Sequence, residues 1–291
     1  MSALDEVSVA PAESRARPRR ARWYRQPTLV IGLVLLAAIV FMCVAAPLLT
    51  SFDPDMQNLE QALASPGQFG HLLGTDQEGR DTWARLLFGG RVDLQVAFLA
   101  VVFPFVLGTI LGSLAGYFGG WIDAVILRVI DIVVAFPFFV LVIALVFVLG
   151  AGERSIYIAI TAVGWVSYAR ILRGEILVAK RQEYVLAAQS GGLSSLRIMG
   201  RHLLPNVITQ AIVYAMSDIV QNILAIVTLS YLGLGIQPPT PDWGTMISDG
   251  QNFLTTQWQL TTIPGLAVVI TGLALSLIGD GLADLLRPGT S

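Results

Sequence analysis

Apolar runs of bilayer length recur along the chain at 28–49, 92–116, 131–150, 155–173, 206–232 and 259–283. A hydrocarbon core about 30 Å thick takes roughly 20 consecutive apolar residues in a helix. The pattern therefore predicts an all-α polytopic membrane protein with six transmembrane helices. The third and fourth runs are separated only by "GAGER" (150–154), which predicts a tight helical hairpin. Pro104, Pro137 and Pro264 fall within or near these runs. Neighbouring helices re-satisfy the backbone groups that prolines free in lipid, so six spans remain the expectation.

Two of the intervening segments are large and polar. Within 51–91, "GTDQEGRDTWARLLFGG" reads as a helix. Thr75 and Glu78 have capping-box spacing, Trp83, Leu86 and Leu87 form an apolar stripe, and Gly89–Gly90 are expected to stop it. Within 233–258, the prolines of "GIQPPTPDWG" predict a stiff extended loop, and Trp243 suits a membrane interface.

A third segment, "EYVLAAQSGGLSSLRIMGRHLLPN" (183–206), is charged and has paired glycines at its centre. Glu183–Ser190 is helix-compatible, and Gly191–Gly192 break it. Leu193, Leu196, Met199 and Leu203 then share one face, with Ser194, Arg197 and Arg201 pointing away. Pro205 is expected to end this second helix before the fifth span. Small Ala187 and Ala188 would let a partner surface approach closely. An ordinary basic loop is the alternative reading of the same residues.

The fifth span carries a polar stripe at three- and four-residue steps: Gln210, Tyr214, Ser217, Asp218, Gln221, Ala225 and Thr228. A carboxylate is costly against lipid, so Asp218 is expected to face a watery cavity or the bundle interior. One reading makes the stripe a lining of a translocation pathway. The other has Asp218 protonated, or tied to a polar group of a neighbouring helix.

Composition agrees with a bilayer solvent. The chain of 291 residues is 55% hydrophobic and 13% charged, against about 25% charged for a soluble domain. Its mean hydropathy is +0.70. Charge adds an orientation. With the N-terminus inside, the inner segments hold Arg15, Arg17, Arg19, Arg20, Arg22, Arg25, Arg128, Arg170, Arg173, Lys180, Arg181, Arg197, Arg201 and Arg287. The outer ones hold only Arg80, Arg85, Arg91 and Arg154. Cytoplasmic loops are the cation-rich ones, so both termini are expected in the cytoplasm. The run 28–49 exceeds a signal-peptide core and is read as a retained helix.

The chemistry of an enzyme is missing from the sequence. Lys180 is the single lysine and follows Ala179, so no phosphate-cradling P-loop exists. His71 and His202 are far apart, and Cys43 is the single cysteine, which leaves no metal-site pattern. No catalytic residues and no metal ligands are expected. An ion-coupled carrier would show inverted repeats, and none is evident. A stand-alone channel or carrier stays open as the alternative from a different class.

The 183–206 segment, an elbow of two short helices, also resembles a known family. "LAA" at 186–188, Gly192 and "LLPN" at 203–206 resemble the EAA loop of type I ABC importer permeases, with Leu186 where that motif carries glutamate. "HLLGTDQEGRDTWARLLFGGR" (71–91), "AGYFGGWIDAVILRVIDIVVAFP" (115–137), "LSYLGLGIQPPTPDWG" (229–244) and "IGDGLADLLRP" (278–288) are similar to the C-type permease of dipeptide and oligopeptide importers. The likeness spans about 28–288. It implies a multi-pass subunit of the bacterial inner membrane, with a tail at 1–27, a first helix plus outer segment at 28–91, a core permease domain at 92–288 and a short end at 289–291. It also implies that Glu183, Ala187, Ala188, Gly192 and Pro205 belong to the ATPase-coupling loop. The implied partners are a second homologous permease, two ATP-binding domains, an extracytoplasmic substrate-binding protein and membrane lipid, with no nucleic acid. ATP and Mg would be used by the partner ATPase, with no cofactor bound by this chain. Nickel, glutathione or another small solute are alternative cargoes of the same machine.

Overall fold

The computed structural model describes residues 26–286. The arginine-rich tail and Arg287, which carry much of the charge asymmetry, lie outside the described residues. The helices are α1 (Pro27–Val44), a single turn α2 (Ala46–Leu49), α3 (Thr82–Phe118), α4 (Gly120–Val134), α5 (Phe138–Leu149), α6 (Glu153–Ala179), α7 (Glu183–Ser190), α8 (Ser195–Ile198), α9 (Leu204–Tyr231), α10 (Trp243–Gly250) and α11 (Gln259–Leu286). Among the described residues five helical segments are long and apolar enough to cross a membrane: α1, α3, α6, α11, and the continuous stretch Ser195–Tyr231 that contains α8 and α9.

The third expected span is not one helix. The run 131–150 straddles α4 and α5, which meet at 89°. Pro137 lacks the N–H a continuing helix needs and biases Phe136 away from helical geometry. At 1.5 Å per residue α4 rises about 22 Å and α5 about 18 Å, so neither crosses a 30 Å core alone. The hairpin expected at "GAGER" is present, with α5 packed on α6 across Gly150–Gly152.

The most extensive pairing is between α3 and α6. Gly108, Gly112 and Gly116 stand one turn apart and face the α6 backbone. A Cβ on Gly112 would lie 2.5 Å from the Ala169 carbonyl oxygen and 2.8 Å from its Cα. One on Gly116 would lie 3.0 Å from the Arg173 carbonyl oxygen. Close backbone approach through small residues substitutes in lipid for the missing hydrophobic drive between helices. At the far end of this pair, Arg173 clamps Asp123 of α4 (2.5 and 2.6 Å), and Lys180 Nζ donates to the Gly116 carbonyl (2.9 Å).

The start of α3 departs from the expected capping. Thr75 pairs through its backbone with Asp81, and its hydroxyl accepts from Ala64 N (2.9 Å) and donates to the Gln61 carbonyl (2.5 Å). The N-cap is Asp81, which accepts from Ala84 N at 2.6 Å while its other oxygen holds His71 Nδ1 at 2.7 Å. Gly89–Gly90 do not stop the helix, which runs unbroken to Phe118. Glycine costs a helix only about 1 kcal/mol relative to alanine, and packing overrides that here. A Cβ on Gly90 would lie 2.5 Å from the Trp243 ring. Trp243 is thus no interface anchor: it is 2% exposed, its ring N–H bonded to the Leu86 carbonyl (3.0 Å) and its backbone N–H to Asp93 (2.9 Å). The segment expected as a loop contains α10, capped by Asp242.

An ionic knot joins the 50–81 segment to α10. Arg80 is 4% exposed, donates from Nε to Asp76 (2.7 Å), and pairs with Glu78 (3.2 Å) and Asp249 (3.4 Å). Removing one partner of a buried pair strands the other charge, at roughly 3–5 kcal/mol. Arg80→Ala is accordingly expected to lower thermal stability in detergent and expose 50–81 to limited proteolysis. A melting curve and cleavage pattern equal to wild type would contradict this.

Candidate functional site: a polar face on α9 and an exposed elbow

The α9 stripe is partly as expected. Gln210, Ser217, Gln221 and Thr228 are exposed, and Tyr214 and Asp218 are half-buried. Ala225 is fully buried and does not belong to the face. Leu224 and Ile212 interrupt it with exposed apolar surface. Asp218 Oδ2 accepts from Tyr168 Oη of the neighbouring α6 (2.7 Å) and from Asn222 Nδ2, one turn along α9 itself (3.2 Å). The Tyr168 ring meets Tyr214 edge-on at 5.0 Å and Phe105 at 5.4 Å. The tie to a neighbouring helix, one of the two readings of Asp218, is therefore present.

A groove opens beside this aromatic cluster, with Gln210, Val213, Tyr214 and Ser217 of α9 facing Arg170, Ile171, Gly174 and Glu175 of α6. Gln210, Tyr214 and Ser217 come together here, whereas Asp218 and Gln221 are not among the lining residues. The sequence reading missed the α6 side. It ended that span at residue 173, while the helix continues to Ala179 and carries Glu175 inside it.

The Asp218–Tyr168 bond makes a separable prediction. Asp218→Ala leaves a buried phenol without its acceptor, at about 1–3 kcal/mol. Asp218→Asn retains an oxygen there. Thermal unfolding in detergent should show the alanine variant destabilised and the asparagine variant close to wild type; equal melting of the two would refute the bond's importance.

The elbow has the expected form of two short helices meeting at glycine. Gly192 adopts φ +75°, and a Cβ there would meet nothing within 4 Å. Glu183, Ala187 and Pro205 are exposed and Ala188 is half-buried. Val185, Ile198 and Leu203 anchor the elbow into a core that also contains Tyr168, Leu172 and Ile176 of α6. The expected apolar face is corrected at Leu196, which is 71% exposed; Leu186 is 49% and Tyr184 42% exposed. Pro205 does not end the second helix. The chain passes through one wide turn, Met199–Leu203, in which Leu204 N–H reaches back five residues to the Met199 carbonyl. That widening relieves the clash a proline ring makes with the preceding turn.

At the opposite end of the bundle, burial pushes the Asp249 carboxyl above the usual carboxylate range, with Arg80 and Arg85 opposing. Burial also raises Asp242, against hydrogen bonds from Thr245, Ser230 and Gly244. Among the described residues no group of three His, Cys, Asp or Glu side chains is placed to hold a metal ion.

A membrane bundle with an exposed polar helix face and an elbow tied to the same helices is the plan of a transport permease. Residues 108–291 match the family described as binding-protein-dependent transport system inner membrane component. The chain belongs to this family. Residues 18–66 match the N-terminal TM domain of oligopeptide transport permease C. The dipeptide transport system permease protein DppC of Alkalihalophilus pseudofirmus is 38% identical over 259 residues, covering 89% of this chain and 85% of the relative. DppC of Bacillus subtilis is 37% identical over 280 residues, covering 96% and 87%. Among solved structures, an inward-facing MetNI methionine ABC transporter chain superposes with TM-score 0.54 at 17% identity, covering 70% of this chain and 97% of that one. That likeness concerns the fold. The permease is a membrane-embedded transport component, and the family works with an ATPase and other transporter subunits.

Proposed function

We propose that this permease forms half of the translocation pathway of an ATP-driven importer of dipeptides and short oligopeptides. The observation that carries the pathway is the row of exposed polar side chains on α9, Gln210, Ser217, Gln221 and Thr228. Lipid solvates such groups poorly, so a second permease or a watery channel must cover them. The peptide cargo is taken from relatives named as dipeptide permeases that align over nearly the whole chain. The other partners are two ATP-binding domains at the elbow and an extracytoplasmic substrate-binding protein at the 51–91 and 233–258 end. ATP and Mg are used by the ATPase. The chain sits multi-pass in the bacterial cytoplasmic membrane with both termini inside, since Arg181, Arg197 and Arg201 fall in the elbow.

Coupling is mechanical in this reading. Glu183, Ala187, Ala188 and Gly192 meet the ATPase, and Val185, Ile198 and Leu203 pass its movement to the α6 core. Closure of the ATPase pair drags the elbows together, and the bundle rocks between inward- and outward-open states. The test uses the assembled transporter in a Cys43→Ser background, with single cysteines at Tyr214, Ser217 and Gln221. A water-soluble maleimide is expected to label them in a nucleotide-dependent way. If no nucleotide state permits labelling, this face packs against protein and the pathway lies elsewhere.

A further inference from the structure

The α6 wall of the groove holds two opposite charges that are unpaired among the described residues. Arg170 is exposed and Glu175 half-buried, and neither has an ion-pair or hydrogen-bond partner among the described residues. Arg173, between them in sequence, is by contrast consumed by Asp123. Gly174 keeps the floor open, since a Cβ there would meet nothing within 4 Å. Facing them are the amide of Gln210 and the hydroxyl of Ser217, both exposed. Unpaired charges on a membrane helix are expensive and mark substrate paths or inter-subunit pairs.

Their opposite signs on the lining of one groove favour a substrate. A short peptide with free ends carries one positive and one negative charge. We propose that the α6–α9 groove is a docking station for short zwitterionic peptides. Arg170 takes the terminal carboxylate through its planar fork, Glu175 takes the terminal ammonium, and Gln210 and Ser217 meet the peptide backbone. This rests on the reading of the chain as a peptide-import permease.

The experiment uses the complete importer in proteoliposomes, supplied with binding protein loaded with a dipeptide that carries a diazirine side chain. During turnover, light is expected to attach the peptide to segments around 170–175 and 210–217. Arg170→Gln and Glu175→Gln are each expected to lower that labelling and the peptides moved per ATP by about tenfold, the loss of one charge-assisted contact. Co-purification of the second permease should be unchanged. Labelling confined to other segments, with normal uptake, overturns the station and leaves peptide import standing. Loss of the second permease from either variant also overturns it, by making these charges inter-subunit pairs. Failure of the wild-type assembly to take up any dipeptide would instead overturn the import reading beneath it.

Discussion

Gly192→Trp is expected to abolish uptake and the stimulation of ATP hydrolysis by loaded binding protein, while the chain still inserts and assembles with the second permease. The residue sits at φ +75° between α7 and α8 with open space where a side chain would go. Any L-residue there is strained by about 1–2 kcal/mol, which a well-anchored elbow tolerates. The indole adds bulk on the surface where Tyr184, Leu186 and Leu196 are exposed, the apolar patch available to an ATPase cleft. Gly192→Ala separates the two effects, because it carries the strain without the bulk. Retained coupling in the alanine variant and lost coupling in the tryptophan variant is the expected pair. Equal failure of both would assign the defect to backbone strain and remove the elbow's docking role.

Gly112→Val attacks the fold itself. Its Cβ would meet the Ala169 carbonyl oxygen and Cα, both backbone, so neither side can yield by a rotamer change. Overpacking of this kind typically costs 1–3 kcal/mol, and separating α3 from α6 adds lost contacts along Gly108–Gly116. No monodisperse assembly is expected from detergent extracts. Gly174→Val, on the open side of α6, is the control and should extract normally. A well-behaved Gly112→Val assembly would mean that these helices do not rely on glycine-mediated contact.

The contrast between these two glycines marks what the sequence can disclose. Apolar runs of bilayer length located α1, α3, α6, α9 and α11, because lipid imposes a length rule on each helix independently. The elbow was also legible, since Gly191–Gly192 between two helix-compatible stretches leave few local alternatives. Features decided by distant contacts were not. Gly89–Gly90 looked like a stop, yet Asp242 and Trp243, some 150 residues later, convert them into a docking notch. Pro205 looked like a terminus, but one wide turn absorbs it. The 89° bend between α4 and α5 hid inside a single apolar run because hydropathy has no direction. At the site, three-and-four spacing found Gln210, Tyr214, Ser217 and Asp218. It could not supply Tyr168, Arg170 and Glu175, which reach the same place from another helix.

The central claim is that this chain is one half of a pathway powered through its elbow by a separate ATPase. The measurement that tests it most directly is dipeptide uptake into proteoliposomes made from the complex purified through a tag on this chain. The account predicts co-purification of a second permease and an ATPase, with uptake that requires both ATP and the binding protein. A homo-oligomer of this chain that passes solute down its gradient without ATP would contradict it.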